Sequence, residues 1–304
     1  MASFHSSENT QHGGPRSGAG RRSDTQLPPG FETEETSARR WQELIDRLDD
    51  RRGSARRLAN VLRRCGGPAP CGLEACPKCA RDFRLRLHRQ GQAIVPPDAE
   101  FLVVSLIPRS NRVELDQLPA FDLATWARSR QRGLARALPV DSMFIGGIDI
   151  SLNTWENADP HWCFHVYGFI VLLAGWGVEN KRRRLALRSA IAEHNPLAEP
   201  VYGRPKERPL LMKRCVRTGF DDNLLYGYKS GFYLRSRYSY QKQSATTLSS
   251  NVVSHALPVE RQVELAMFLS GYRTGSRLLL VGLRRQGIDA IFRLTRPQVA
   301  SRRE

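Results

Sequence analysis

The chain has 304 residues, with 47 Lys and Arg against 30 Asp and Glu, a formal charge of +17 and a pI near 10.3. That length holds one large or two smaller domains with a real core, and that charge favours a polyanionic partner, nucleic acid above all. The longest apolar run, around Phe169 to Trp176, is too short to span a bilayer, so no membrane role is expected.

The first residues, Met1-Ala-Ser-Phe-His-Ser-Ser, lack the basic-then-apolar pattern of a secretory signal. Four of the six cysteines are clustered, which points to reduced thiols and metal rather than disulfides, and to a cytoplasmic protein. Residues 1 to about 37 are rich in Ser, Gly, Thr and Pro and are expected to form a disordered basic tail. From Ala38 to Arg64 the apolar residues Trp41, Leu44, Ile45, Leu48, Leu58, Val61 and Leu62 recur at helical spacing, with Gly53-Ser54 predicted to split the stretch into two arginine-rich helices. Next come Cys65, Cys71, Cys76 and Cys79. The Cys76-Pro-Lys-Cys79 turn lets two thiolates reach one ion, Cys65 and Cys71 complete a tetrahedral zinc site, and His88 is an alternative ligand.

Phe101 to Ile107 reads as an apolar strand stopped by Pro108. Asp122 to Leu138 reads as an amphipathic helix that displays Arg128 and Arg132. A second strand, Met143 to Asn153, leads through a turn-rich segment into His161-Trp-Cys-Phe-His165 and the apolar run that follows it. Strand alternation puts His161, Cys163, His165 and Tyr167 on one face. If the two strands are antiparallel neighbours, Asp149, Ser151 and Asn153 share the face that opposes them. Such a polar cluster is either a metal site or a set of buried histidines satisfied by hydrogen bonds. A helix opens with Lys181, Arg182, Arg183 and Arg184, a strand is predicted at Leu210 to Val216, and Asp221-Asp-Asn223 is read as the cap of a helix that runs through Tyr226, Tyr228, Lys229 and Tyr233. A polar loop (Gln241 to Ser254), a helical stretch (Val259 to about Leu283) and a short strand (Ile288 to Leu294) complete the chain.

This order of parts resembles the HUH endonucleases, specifically plasmid-type rolling-circle replication initiators and related transposases, from about Cys65 to Tyr240. The residues that carry the likeness are the cysteine cluster, Gly146-Gly-Ile-Asp-Ile-Ser-Leu-Asn153, Pro160-His-Trp-Cys-Phe-His-Val166 and the tyrosine–lysine segment. The resemblance implies a divalent metal, Mg²⁺ or Mn²⁺, at the histidine strand, single-stranded or origin DNA as substrate, host replication proteins as partners, and cleavage through a phosphotyrosine intermediate. Matched residue by residue, His165 falls on the second metal histidine, Cys163 on the first and His161 on the histidine two residues earlier. Asn153 falls where relatives carry a metal-binding glutamate, with Asp149 on the same face. Cys163 and Asn153 depart from that pattern, since a thiolate is soft and Mg²⁺ is hard. Tyr226 with Lys229 fits a Tyr-x-x-Lys pattern and makes Tyr226 the nucleophile. In the longer form of the pattern, Ser230 takes the nucleophile's place. Tyr228, Tyr233, Tyr238 and Tyr240 are the other candidates.

The expected fold is α+β, a central antiparallel sheet of about five strands flanked by helices. The expected division is 1–37 tail, 38–95 arginine-rich helices and zinc knuckle, 96–245 nuclease-like domain, and 246–304 helical extension. Three functions follow: a strand-transferring nickase, a DNA-binding protein on the same fold without cleavage, and a zinc-stabilised RNA-binding or adaptor protein.

Overall fold

A computed structural model describes residues 31–66, 69–155, 159–198, 209–241, 248–286 and 290–294. Most of the expected tail therefore lies outside the described residues, but its end does not. Thr33 caps α1 (Glu34–Asp49) by accepting a hydrogen bond from the Thr36 backbone, and Glu34 and Glu35 complement the helix dipole. The end of the expected tail is thus ordered, and Phe31 is buried. Gly53, at φ +70°, separates α1 from α2 (Ser54–Arg63), as its position between two apolar stripes predicts. Leu44, Ile45 and Leu48 meet Leu58, Ala59 and Leu62 in a small core with Cys65, Cys76 and Cys79. Then comes α3 (Pro77–Ile94), a helix the sequence reading did not assign, with Pro77 in its first turn and Phe83 and Leu87 one helical turn apart and buried.

The strands β1 (Glu100–Leu106) and β2 (Arg112–Glu114) are followed by α4 (Leu123–Ala137), β3 (Met143–Trp155), β4 (His161–Leu172), α5 (Lys181–His194) and β5 (Leu210–Cys215). After α6 (Arg217–Asn223) and a 3-10 turn (Leu224–Tyr228) come β6 (Tyr233–Gln241), β7 (Leu248–Ala256), α7 (Val259–Ser270), β8 (Leu278–Val281), β9 (Leu283–Gln286) and β10 (Ala290–Leu294). Eight strands form one sheet in the order β5-β1-β4-β3-β6-β7, with β2 also paired to β4 and β8 to β3. The sheet is mixed, because β3 and β6 run parallel.

Several expectations change here. The helix expected from Asp221 to Tyr233 ends at Asn223 and gives way to the 3-10 turn, and Tyr233 opens a strand. Gly227 is the reason: with Gly147 it lets this turn lie directly on the sheet. A Cβ at Gly147 would run into the Gly227 carbonyl, and one at Gly227 into the Tyr167 carbonyl. The loop expected at Gln241 to Ser254 contributes strand β7, which pairs with β6. The helical stretch expected to reach Leu283 stops at Ser270. Gly271 caps it, the chain turns at Gly275 (φ +90°), and Leu278-Leu-Leu-Val281 pairs with β3. A four-residue apolar run does not distinguish strand from helix by periodicity. These added strands turn the expected five-stranded antiparallel sheet into a mixed one.

The sheet separates two cores. Phe144, Ile148, Ile150, Phe164, Val166 and Ile170 face α4, α5 and α7. Met143, Ile145, Phe169 and Val171 face α3 and the α6–3-10 segment. Cys65, Cys76 and Cys79 share their small core with Ala266 of α7, so the expected 38–95 and 246–304 units pack against each other. Among the described residues no helix is long and apolar enough to cross a membrane.

Candidate functional site

Cys65, Cys71, Cys76 and Cys79 present sulfurs that all lie within 4.8 Å of one another, close enough to bind a metal such as zinc. Cys65–Cys79, Cys76–Cys65 and Cys71–Cys79 are 3.5, 3.6 and 3.7 Å apart. A tetrahedron with Zn–S bonds of ~2.3 Å has edges of about 3.8 Å, so the donors fit a zinc ion. Backbone N–H groups of Cys71 and Gly72 donate to the sulfurs of Cys65 and Cys79. Hydrogen bonds from Cys76 and Cys79 hold Cys71 below the usual thiol range, and the same contact pushes Cys76 up. His88 is no ligand here. It lies further along α3, and its Nε2 is 3.0 Å from the Asp221 carbonyl.

The same loop carries Glu74, whose side chain is fully buried and which sequence reasoning missed. Its carboxylate accepts from Arg277 Nε (2.7 Å), the Tyr228 hydroxyl (2.5 Å) and the Gly275 N–H (2.9 Å). Arg277 also donates to the carbonyls of Ile148 and Lys229. The cysteine loop is thereby tied to the residue before Asp149 and to Lys229 itself. Tyr228, 1% exposed, is committed to this network. Burial, with the Glu74 carboxylate adding to it, holds its hydroxyl well above the usual range. It presents no nucleophile to a substrate.

On β3 and β4 the register pairs Asp149 with His165, Ser151 with Cys163 and Asn153 with His161, which is the opposition expected from strand alternation. Their side chains form a ladder. Same-face neighbours on a strand stand ~7 Å apart and His161 is ~13 Å from His165 along the strand, so the three β4 residues do not converge on one ion. Each rung has its own partners. His161 Nδ1 is 2.9 Å from the Asp159 carbonyl, Asn111 donates to Cys163 Sγ at 3.1 Å, and Ser151 donates to Asn153 Oδ1 at 3.0 Å. Burial pushes the Cys163 thiol up to about 11, so it is protonated at neutral pH.

Asp149, fully buried, has one carboxylate oxygen 2.7 Å from Lys229 Nζ and 3.2 Å from both Arg235 Nη2 and His165 Nε2. Burial drops His165 to about 4 against the pull of Asp149. The histidine is therefore neutral at pH 7, and one carboxylate faces two cations. That charge balance suits an anion. It does not fit a hard divalent ion, which needs several oxygen ligands and no competing cations.

Lys229 and Arg235 open into a cleft of about 970 Å³ that also contains Tyr226, Tyr233, Arg40 and Arg84. Tyr226 and Tyr233 are 46% and 43% exposed, and Lys229 Nζ lies 5.0 and 5.5 Å from their ring centroids. Tyr167 supports Tyr226 from β4, with ring centroids 4.6 Å apart. The side chains of Tyr238 and Tyr240 lie outside the described residues. Arg128 and Arg132 are exposed on α4, and Lys181, Arg182, Arg183 and Arg184 open α5. Both helices cover the sheet face opposite the ladder, so these basic residues do not join the cleft. Arg183 and Arg184 donate to the carbonyls of Trp176 and Val178 and brace the loop before α5. Tyr233 is among the candidate tyrosines and Arg40 lies in the arginine-rich helices, but nothing in the sequence marks Arg84 or Arg235 or places the four together, because strands and helices far apart in the chain bring them into one cleft.

No protein-family model, curated protein or solved structure matches this chain.

Proposed function

We propose that this protein binds single-stranded DNA in the cleft, in the manner of a replication-initiator-like DNA-binding protein. The observation that carries the reading is the pairing of two exposed tyrosines with Lys229 and Arg235 along one groove of a strongly basic chain. Single-strand sites combine cationic groups that follow the phosphates with aromatic faces on which bases stack, worth about 1–3 kcal/mol per base. Lys229 and Arg235 hold phosphate oxygens, while Tyr226 and Tyr233 stack bases. Asp149 and His165 keep the two cations in place from below. The Cys65–Cys79 cluster holds zinc in a structural role and fixes the floor of the cleft through Glu74 and Arg277.

Fluorescence anisotropy with a labelled oligo(dT) strand tests this. We expect salt-sensitive binding that is preferred over duplex and weakened at least about tenfold by Lys229→Ala or Tyr226→Ala. Equal affinity for duplex, or indifference to both substitutions, contradicts it.

A second reading is favoured by the exposure of Tyr226 beside Lys229. In it, Tyr226 is the nucleophile of a strand transfer: its oxygen bonds to phosphorus, the phosphodiester's 3′-oxygen leaves, and Lys229 neutralises the phosphate. The host replication proteins implied by the resemblance belong to this reading, whereas the Mg²⁺ or Mn²⁺ it also implies has no fitting site on the histidine strand, where Asp149 already faces Lys229 and Arg235. A label that stays with the protein through denaturant and is lost in Tyr226→Phe supports it. No adduct with or without Mn²⁺, while the strand still binds, leaves the binding function alone.

A further inference from the structure

Three elements meet along the cleft beside Lys229. Arg40 comes from α1, Arg84 from α3, and Ser230 from the segment just after the 3-10 turn. Between them sits the carboxylate of Glu32, from the short extended segment that precedes α1, with its side chain 7% exposed. One oxygen lies 2.7 Å from Arg40 Nη1. The other accepts from the Ser230 hydroxyl at 2.7 Å and from Arg84 Nη1 at 3.5 Å. Arg40 and Arg84 also donate to Ser230 Oγ, at 3.2 and 3.1 Å, so the donors are held in place independently of the carboxylate. Arg84 is 9% exposed, and its Nε has no hydrogen-bond partner among the described residues.

We propose that Arg40, Arg84 and Ser230 form a phosphate subsite, and that Glu32 occupies it in the free protein as a stand-in which a backbone phosphate of the bound strand displaces. The proposal deepens the single-strand reading of the cleft and rests on it. Guanidinium groups take carboxylate and phosphate oxygens with the same fork geometry. A phosphodiester carries one negative charge, as Glu32 does, so the exchange leaves the charge facing the two arginines unchanged while Glu32 returns to water. The subsite adjoins Lys229 directly, since Ser230 is the next residue, and both line the same cleft. The donors belong to α1, α3 and the turn packed on the sheet, whereas Glu32 belongs to the short segment ahead of α1, anchored by Phe31 in the core beside Phe83 and Leu87, by the Arg81–Glu32 carbonyl hydrogen bond and by the Thr33 cap. Displacement therefore asks movement of the stand-in and not of the site. A competitor occupying the site lowers apparent affinity by the fraction of time the site is blocked.

The test is oligo(dT) affinity of the full chain for wild type, Glu32→Gln and Glu179→Gln, the last neutralising a surface carboxylate paired with Arg214 away from the cleft. Hydrogen exchange of the wild type with and without the strand completes it. We expect Glu32→Gln to bind about fivefold or more tightly than wild type and Glu179→Gln to change affinity far less. Exchange at Thr36 and Ser37, whose N–H groups bond to Thr33, should rise when the strand binds while the body of α1 stays protected. If wild type binds the strand but Glu32→Gln binds no more tightly than Glu179→Gln, Glu32 is a structural ion pair and the subsite is wrong. Should Glu32→Gln fail to fold, the exchange decides: protection at Thr36 and Ser37 that stays or increases on binding overturns the proposal. Wild type that binds no strand removes the cleft reading together with this one.

Discussion

In the loop that leads into α3, four thiols converge until every sulfur lies within 4.8 Å of the others. On β3 and β4, six polar side chains form a ladder in which the carboxylate of the end rung, Asp149, already faces Lys229 and Arg235. Both regions contain residue types that bind metals, and they differ in backbone shape and in charge. A loop folding back on a helix N-terminus points successive ligands inward, whereas a strand spaces same-face residues ~7 Å apart. Among the described residues no cation is fixed on the sulfurs of the cysteine loop, whereas the ladder brings two to one carboxylate. Ligand identity alone thus does not make a metal site: one region is built to hold a cation, the other to hold cations of its own that an anion can share.

The largest expected effect lies on the cysteine side. With Cys76→Ser, zinc affinity should fall steeply. The small core of α1, α2 and α7 should lose the support of a metal whose binding in structural sites is worth ~10–16 kcal/mol. Thermal unfolding followed with zinc content measures both, and an unchanged transition temperature would show that the cluster packs as plain thiols. Next is Arg277→Met, which leaves Glu74 buried with Tyr228 and Gly275 as its remaining partners. Breaking a buried ion pair costs about 3–5 kcal/mol, read by urea denaturation. A loss under ~1 kcal/mol would show that the link between cysteine loop and cleft bears little load.

A smaller effect separates the two regions by pH. His165 is pushed down to about 4 in the fold and titrates near 6.5 when unfolded. Between those values the unfolded chain binds the extra proton. The contribution of His165 is therefore fully present above pH ~6.5 and is lost as pH falls toward 4, with an upper bound of about 3 kcal/mol. His165→Gln should flatten the stability–pH curve in that window, and an unaltered curve would place the histidine outside the buried cluster. The smallest effect is on binding: Arg235→Ala should weaken oligo(dT) affinity by a few-fold, about 1 kcal/mol, because Lys229 remains. No change would remove Arg235 from the cleft's contacts.

Much of this contrast was legible in the sequence. The cysteine spacing predicted the cluster, and period-two alternation predicted which residues of β3 would oppose His161, Cys163 and His165. The split at Gly53 follows from local chemistry, whereas Asp221-Asp-Asn223, read as a helix cap, closes a helix instead. What the sequence hid depends on distant partners. Glu74 and Arg277 lie 203 residues apart, and neither sits in a pattern that announces the pair. The turn at Tyr226–Lys229 looked helical because its residues are apolar at close spacing. Only the sheet beneath it, open at Gly147, favours the flat 3-10 path. The strands β6 to β8 were missed because their short polar or apolar runs carry no decisive period.

The contrast between the two regions is tested most directly by the metal content of purified protein after equilibration with Zn²⁺ and Mn²⁺ and removal of free ions. Wild type should retain one zinc per chain and no manganese. That zinc should persist in His165→Ala and disappear in the Cys76→Ser, Cys79→Ser double variant. A second bound ion that is lost in His165→Ala would contradict the account and restore the histidine strand as a metal centre.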